Sequence, residues 1–527
     1  MNSYREKGQF HFGAGQFAVV VVLSAIFFVA SRPAVDPDYG WHVANGRHIA
    51  DGVLFAGRDV YSWTASGSRW IAHEWLTDAA MSAAHDRVGP TLNSILAAVI
   101  VTAAFGLVAV RLRKRGFRWT ATVITVTIAF LSSVMSLGVR PQVLELVYLA
   151  ATLLFIDSWV RGAISTRWLY VAAAAGGVLW ANTHGSFPLF SATLAALSAA
   201  LWAARDERWL VAALAAVIAI VAALANPWGW ELYAFATQSI TSRSTLEGIQ
   251  EWRSPHLFSG SLIPFDAELI LIVCAVPATI RQLVRARAGK LRELLSEEEG
   301  RGVPMIYDLI IAIPIVTLGL QSGRHVMLAG ICAAPLIAWS IDTALNFIGS
   351  KFRSGVEHLV QRNSADVTAR NLINAAASAA VAIALAFEAW QMISPAAQRL
   401  ALSRRYPAGA IAFLEKLNPP VARLFNQYDW GGYMIERGRT KVFIDGRSEV
   451  YGDEQLDRYG SIVHLRPRWA EKLDSLGVDY LLMPRNAPLV TALRQKGWTE
   501  IARDSVGSLL KSPGGGTFVR SQANPQL

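Results

Sequence analysis

The sequence predicts an α-helical polytopic membrane protein of about eleven transmembrane helices with a C-terminal extracytoplasmic α/β domain. Three observations predict it. Of the 527 residues, 53% are hydrophobic and only 17% are charged, and the mean hydropathy is positive, which is too apolar for a soluble globular chain of this length. The apolar residues gather into runs long enough to cross a bilayer, which takes roughly 17 to 25 residues. The basic residues fall in short clusters between those runs, as at Arg111, Arg113, Lys114, Arg115 and Arg118. The formal charge of +10 is therefore topological and does not mark a nucleic-acid groove.

In chain order the apolar runs are 16–31, 91–110, 119–137, 143–160, 168–182, 186–204, 209–225, 264–280, 304–320, 325–343 and 371–393. Arg5 and Lys7 precede the first, and Val29-Ala30-Ser31 at its end resembles a small-residue cleavage site. Whether that run is a span or a signal peptide, residue 32 onward lies outside. An inside N-terminus assigns the basic stretches 111–118, 281–301 and 351–370 to the cytoplasm, as the positive-inside rule requires. The expected location is the cell (inner or plasma) membrane, with multiple passes. The two cysteines, Cys274 and Cys332, sit inside apolar runs, which excludes a disulfide framework and a Cys-ligated zinc site.

The chain accordingly divides into a transmembrane domain, 1–393, and an extracytoplasmic domain, 394–527. Two long outer loops, 32–90 and 226–263, interrupt the first. In the second, β-rich runs at Lys441 to Asp445, Asp479 to Met483 and Ser508 to Lys511 alternate with helical periods at Ala408 to Leu417, Pro467 to Leu476 and Ala487 to Lys496, the pattern of a small α/β fold.

The first loop carries the densest chemistry. Asp36 and Asp38 flank Pro37 directly after the first span, and proline favours an extended turn there. Trp41 and His42 open one short amphipathic stretch and His73-Glu74-Trp75-Leu76 begins another. In that second stretch Glu74 and Asp78 lie one helical turn apart on a common face. Trp41, Trp63, Trp70 and Trp75 read equally as an interfacial belt. Acids and histidines crowded beside a bilayer are costly unless paired, hydrated or metal-bound, so Asp36, Asp38, His73 and Glu74 are the stronger functional candidates.

Other polar residues interrupt apolar sequence on the same outer side. His184, in Asn182-Thr183-His184-Gly185, is either a hydrogen-bonded histidine or, with His73 and Glu74, a ligand of a divalent metal such as Zn, Mn or Mg. Arg140 and the Arg324-His325 pair fall at short outer turns, where arginine is disfavoured statistically. Guanidinium forks match phosphate oxygens, so these residues, with Trp41 and His42, are candidates for binding a lipid phosphate or its sugar. The alternative for the arginines is snorkelling to lipid headgroups.

A first loop with Asp36-Pro37-Asp38 after helix one, juxtamembrane helices, about eleven spans and an outer C-terminal domain together resemble the GT-C class of glycosyltransferases. The resemblance covers the architecture of the whole chain but only short motifs. It implies sugar transfer from a polyprenyl-phosphate donor to a lipid, glycan or protein acceptor outside the cytoplasm. Asp36-Pro37-Asp38 resembles the motif that supplies the catalytic carboxylate. His73-Glu74-Trp75-Leu76 lies where aminoarabinose-transferase-like members place an acid beside their metal, and His184 is similar in placement to their histidine ligand. Tyr428-Asp429-Trp430-Gly431-Gly432-Tyr433 loosely resembles the Trp-Trp-Asp motif of oligosaccharyltransferases. The tandem tryptophan is absent, and no second Asp-x-Asp occurs in a later loop, so a single-sugar donor is implied. Asp445 and Arg447 follow a predicted strand and are either acceptor-side residues, with Asp429 and Trp430, or an ion pair closing a turn.

The expected chemistry is a base, Asp36 or Asp38, and a cation site at Arg324, helped by His325 or Arg140, for the departing phosphate. A transporter or flippase of a lipid-linked saccharide is the alternative from another class, and predicts an inverted repeat with broken helices. A non-catalytic envelope scaffold is a third.

Overall fold

The computed structural model describes residues 12–50, 52, 57–241, 253–295, 303–356, 367–418 and 421–514. Arg5 and Lys7, residues 242–252 of the second outer loop, and parts of the basic stretches 281–301 and 351–370 lie outside these.

Each of the eleven apolar runs falls on a helix. Among the described residues six helices are long and apolar enough to cross a membrane: Pro90–Lys114, Trp119–Ser136, Val143–Val160, Gly260–Lys290, Gly323–Ile348 and Ala369–Ile393. Ala14–Ala30, Pro188–Ala203, Trp209–Ala222 and Met305–Gln321 are shorter apolar helices, and Thr166–Thr183 is the remaining one. The protein is thus a multi-pass α-helical membrane protein with a small C-terminal sheet.

The chain forms two compact units. The first comprises Met1–Arg32, Ser94–Trp230 and Gln250–Ile393; the second comprises Pro33–Asn93, Glu231–Ile249 and Ser394–Leu527. The helix containing Gly323–Ile348 is the most deeply buried span and Ala369–Ile393 the least. A cluster of Phe265, Val326 and Ala329, with Leu262, Leu269 and Val316 against it, packs three helices together.

One end of the first unit is held by an ion-pair knot. Arg111 and Arg115 face Asp157 and Asp308, with N–O distances of 3.0 Å (Arg111–Asp157), 2.7 Å (Arg111–Asp308), 2.5 Å (Arg115–Asp157) and 2.6 Å (Arg115–Asp308). Arg111 also donates to the Cys332 carbonyl at 3.4 Å. All four side chains are buried. Two charges of each sign, each with charge-assisted hydrogen bonds, meet the condition under which buried ions persist. Two arginines of the first basic cluster are therefore internal ties and not solvated charges.

In the second unit the first loop folds together with the C-terminal region. Its two amphipathic stretches become the helices Tyr39–Ala50 and Trp75–Val88. The sheet has strands β1 (Leu424–Asn426), β2 (Tyr480–Pro484), β3 (Thr499–Arg503) and β4 (Gly507–Lys511), in the order β1-β2-β4-β3. β1 runs parallel to β2 and the other pairs are antiparallel. Gly431–Arg437, Ser448–Val463 and Trp469–Ser475 form the helical crossover that a parallel pair requires. The strands expected at Asp479 to Met483 and Ser508 to Lys511 are β2 and β4. Lys441 to Asp445 is not a ladder strand: Val442 makes only an isolated parallel bridge to Ser62 of the first loop. Its partner is distant in sequence, and Gly446 ends the run within one residue of Asp445.

Candidate active site

The Asp36-Pro37-Asp38 turn is fixed from several directions. Asp36 Oδ1 accepts the Asp38 backbone N–H at 3.0 Å, an Asx-type turn. Its carbonyl accepts from Tyr39 N at 3.1 Å and from the Tyr406 hydroxyl at 3.2 Å. The Trp41 indole donates to Asp38 Oδ1 at 3.0 Å. Two glycines allow the rest of the unit to close on this turn. A Cβ on Gly432 would strike the Pro37 carbonyl, and one on Gly446 would strike the Asp38 carboxylate. Close backbone approach is available only to glycine there. The Asp36 turn, the Tyr428–Tyr433 run and the Asp445–Arg447 segment are thereby brought together.

Burial and neighbouring acids shape the electrostatics. Asp429 is half-buried, 3.2 Å from Arg405. Burial raises its carboxyl above the usual range against the pull of Arg405, and the charge of Asp36 adds to the rise. The Tyr428 hydroxyl, buried and facing Asp38, Asp445, Glu449 and Asp429, is raised well above its ordinary value. Such a group stays protonated and able to donate. Trp430 is buried in the core of the unit.

His42 is buried between two acids. Its Nδ1 lies 2.6 Å from Asp78 Oδ1 and its Nε2 lies 3.7 Å from Glu74 Oε2. Burial opposes charge on this imidazole, but Asp78, then Glu74 and Asp38, outweigh it, so the pKa rises. On the other side of Glu74, His73 Nε2 lies 3.6 Å away. Among the described residues no three His, Cys, Asp or Glu side chains are placed to hold a metal ion. No step below passes through a metal.

Asp445 and Arg447 are fully buried and bonded to each other at 2.8 and 2.6 Å. Arg447 also reaches Asp59 at 2.8 Å, and its guanidinium lies over Tyr61 and Trp70 at 4.9 and 4.6 Å. Tyr451 donates to Asp445 at 2.5 Å. This geometry is the ion pair of the sequence alternatives, and it ties the first loop to the C-terminal region. Trp41 and Trp70 are likewise buried, edge-to-face at 6.4 Å, so these two belong to a core and not to an interfacial belt.

The remaining candidates lie in the first unit. His184 is buried, with Nδ1 2.7 Å from Ser186 Oγ and 3.1 Å from Glu145 Oε1. Glu145 was missed in the sequence, although an acid inside the apolar run 143–160 is itself a signal. Arg324 and His325 form the 3-10 turn Gly323–His325. That turn adjoins the one leading to Arg140: Ser136 Oγ lies 3.5 Å from the Gly323 carbonyl. Arg32 braces the same region, donating to the carbonyls of Leu137 and Val134 at 2.9 and 3.0 Å. Both Arg140 and Arg324 are half-buried.

No family model matches the chain, and no curated protein matches it. Among solved structures the chain is similar to ArnT from Cupriavidus metallidurans bound to undecaprenyl phosphate, with a TM-score of 0.48 and 16% identity over 96% of this chain and 98% of that one. It is also similar to the Archaeoglobus fulgidus oligosaccharyltransferase tethered to an acceptor peptide containing the NVT sequon, with a TM-score of 0.48 and 14% identity over 90% of this chain and 69% of that one.

Proposed function

We infer that the protein is a membrane glycosyltransferase of the GT-C type. It moves a sugar from a polyprenyl-phosphate donor to a lipid, glycan or protein acceptor on the extracytoplasmic side. The observation that supports this best is the Asp36-Pro37-Asp38 turn, a pair of carboxylates held rigidly by backbone, indole and glycine contacts. A fixed carboxylate is what a general base needs, because proton transfer depends on position before acidity.

In the proposed reaction Asp36, or Asp38 in its place, takes the proton of the acceptor X–H group. The freed electron pair of the acceptor bonds to the anomeric carbon from the face opposite the phosphate. The anomeric C–O bond to phosphate breaks, and its electron pair leaves with the polyprenyl phosphate. The path is inverting, with no covalent enzyme intermediate. Arg324, with His325 and Arg140, is assigned to the charge on the departing phosphate, for which guanidinium groups are suited.

The test is transfer from a radiolabelled polyprenyl-phosphate sugar in membranes containing Asp36→Asn or Asp38→Asn. Removing a general base is expected to lower turnover by about 10²–10⁴-fold with unchanged protein level and unfolding temperature. Normal turnover in both variants would overturn the reading.

A further inference from the structure

An open depression lies within the second unit, lined by Trp63, Thr64, Arg423, Gln455, Arg458 and Leu476. Its volume, about 430 Å³, falls in the range of roughly 300–1,000 Å³ typical of small-molecule sites. The reaction proposed above uses none of these residues.

The walls are pinned. The Trp63 indole N–H donates to the Leu424 carbonyl at 2.9 Å, and its backbone N–H donates to the Val442 carbonyl at 3.0 Å. The ring meets Phe443 edge-on at 5.5 Å, so the indole is held in one orientation. Thr64 Oγ1 donates to the Phe443 carbonyl at 2.5 Å. Arg423 donates to the Leu476 carbonyl at 3.3 Å, and its own carbonyl accepts from Asp479 at 3.0 Å. A site whose walls are already ordered loses little entropy when a ligand enters.

The lining has a definite chemical preference. A fixed indole offers a flat apolar face. Gln455 and Thr64 are polar groups of the kind that bond hydroxyls. Arg423 makes no ion pair among the described residues. Arg458 pairs with Glu454 at 3.0 Å, but the Glu454 side chain is 89% exposed, and such a pair holds its cation weakly. The depression therefore keeps net positive charge from two planar forks suited to a carboxylate.

We propose that this depression binds an anionic saccharide, its sugar ring against Trp63 and its carboxylate on Arg423 and Arg458. The site is distinct from the Asp36 turn and does not depend on the transfer reaction.

The experiment is calorimetric titration of the full-length protein in nanodiscs with trigalacturonate, using neutral maltotriose as the control. Wild type and Asp36→Asn are expected to bind trigalacturonate equally, which separates this site from the catalytic reading. Arg423→Ala/Arg458→Ala is expected to bind at least about tenfold more weakly, equivalent to ~1.4 kcal/mol, with an unchanged unfolding temperature. If the double variant folds poorly, Arg458→Gln alone is expected to weaken binding in the same direction. Equal binding by folded arginine variants, no binding at millimolar trigalacturonate, or equally tight binding of maltotriose overturns the proposal. Full displacement by an equal concentration of inorganic phosphate overturns it as well, because the depression then selects for charge and not for a sugar.

Discussion

His42 shows how one side chain carries the state of its surroundings. Asp78 and Glu74 bracket its imidazole, and the folded pKa lies above the unfolded value of about 6.5. A raised histidine contributes stability that is fully present below pH 6.5 and is lost as pH rises through the folded pKa. The unfolding temperature of wild type should therefore fall between pH 6 and 9 more steeply than that of His42→Asn. Parallel curves in a thermal-unfolding series would contradict this. The sequence placed His42 beside the right carboxylates only in part. Glu74 and Asp78 were legible as one helical face, but nothing local tied that face to a histidine over thirty residues earlier. His184 stood out in the sequence and Glu145 left a signal as an acid in an apolar run, whereas their pairing required the fold.

Elements of the second unit meet through missing side chains. Gly432 sits where the helix Gly431–Arg437 backs onto the Pro37 carbonyl. Gly432→Ala forces that contact apart and should cost about 1–3 kcal/mol, the usual range for overpacking. It should also lower transfer, because the Asp36 turn is displaced. Thermal unfolding and labelled-sugar turnover on the same preparation would check both, and unchanged values for both would contradict the role given to this glycine. Ala408–Leu414, Trp469–Ser475 and Pro488–Gln495 fall within the expected helical periods, whereas Ser448–Val463 has no counterpart among the elements expected from the sequence. β1 was not legible: three residues, all buried, offer no alternation to read. Lys441 to Asp445 has the composition of a strand, yet among the described residues it makes only the bridge to Ser62, so composition alone overstated the run as a strand.

On the scale of the whole molecule, the eleven helical runs followed directly from hydropathy, while the ties between distant segments did not. The knot of Arg111, Arg115, Asp157 and Asp308 is one such tie. Asp308→Asn leaves two buried arginines facing one acid and should destabilise the first unit by about 3–5 kcal/mol. A fall in unfolding temperature in detergent would show it, and an unchanged temperature would mean that the charges are better hydrated than their burial implies. Basic clusters between apolar runs served to orient the helices, but two of the residues used for that orientation are interior. Charge alone does not distinguish a solvated arginine from a paired one.

The contact between Asp59 and Arg447 spans 388 residues, and this has a consequence for synthesis. At roughly 5–20 residues per second, the first loop waits about twenty to eighty seconds before the ribosome delivers its partner. Through that interval Asp59 lacks its cation, and the Tyr61 and Trp70 rings lack the guanidinium that lies over them. Ribosomal stalling anywhere in the intervening spans would lengthen that exposure without altering a single residue.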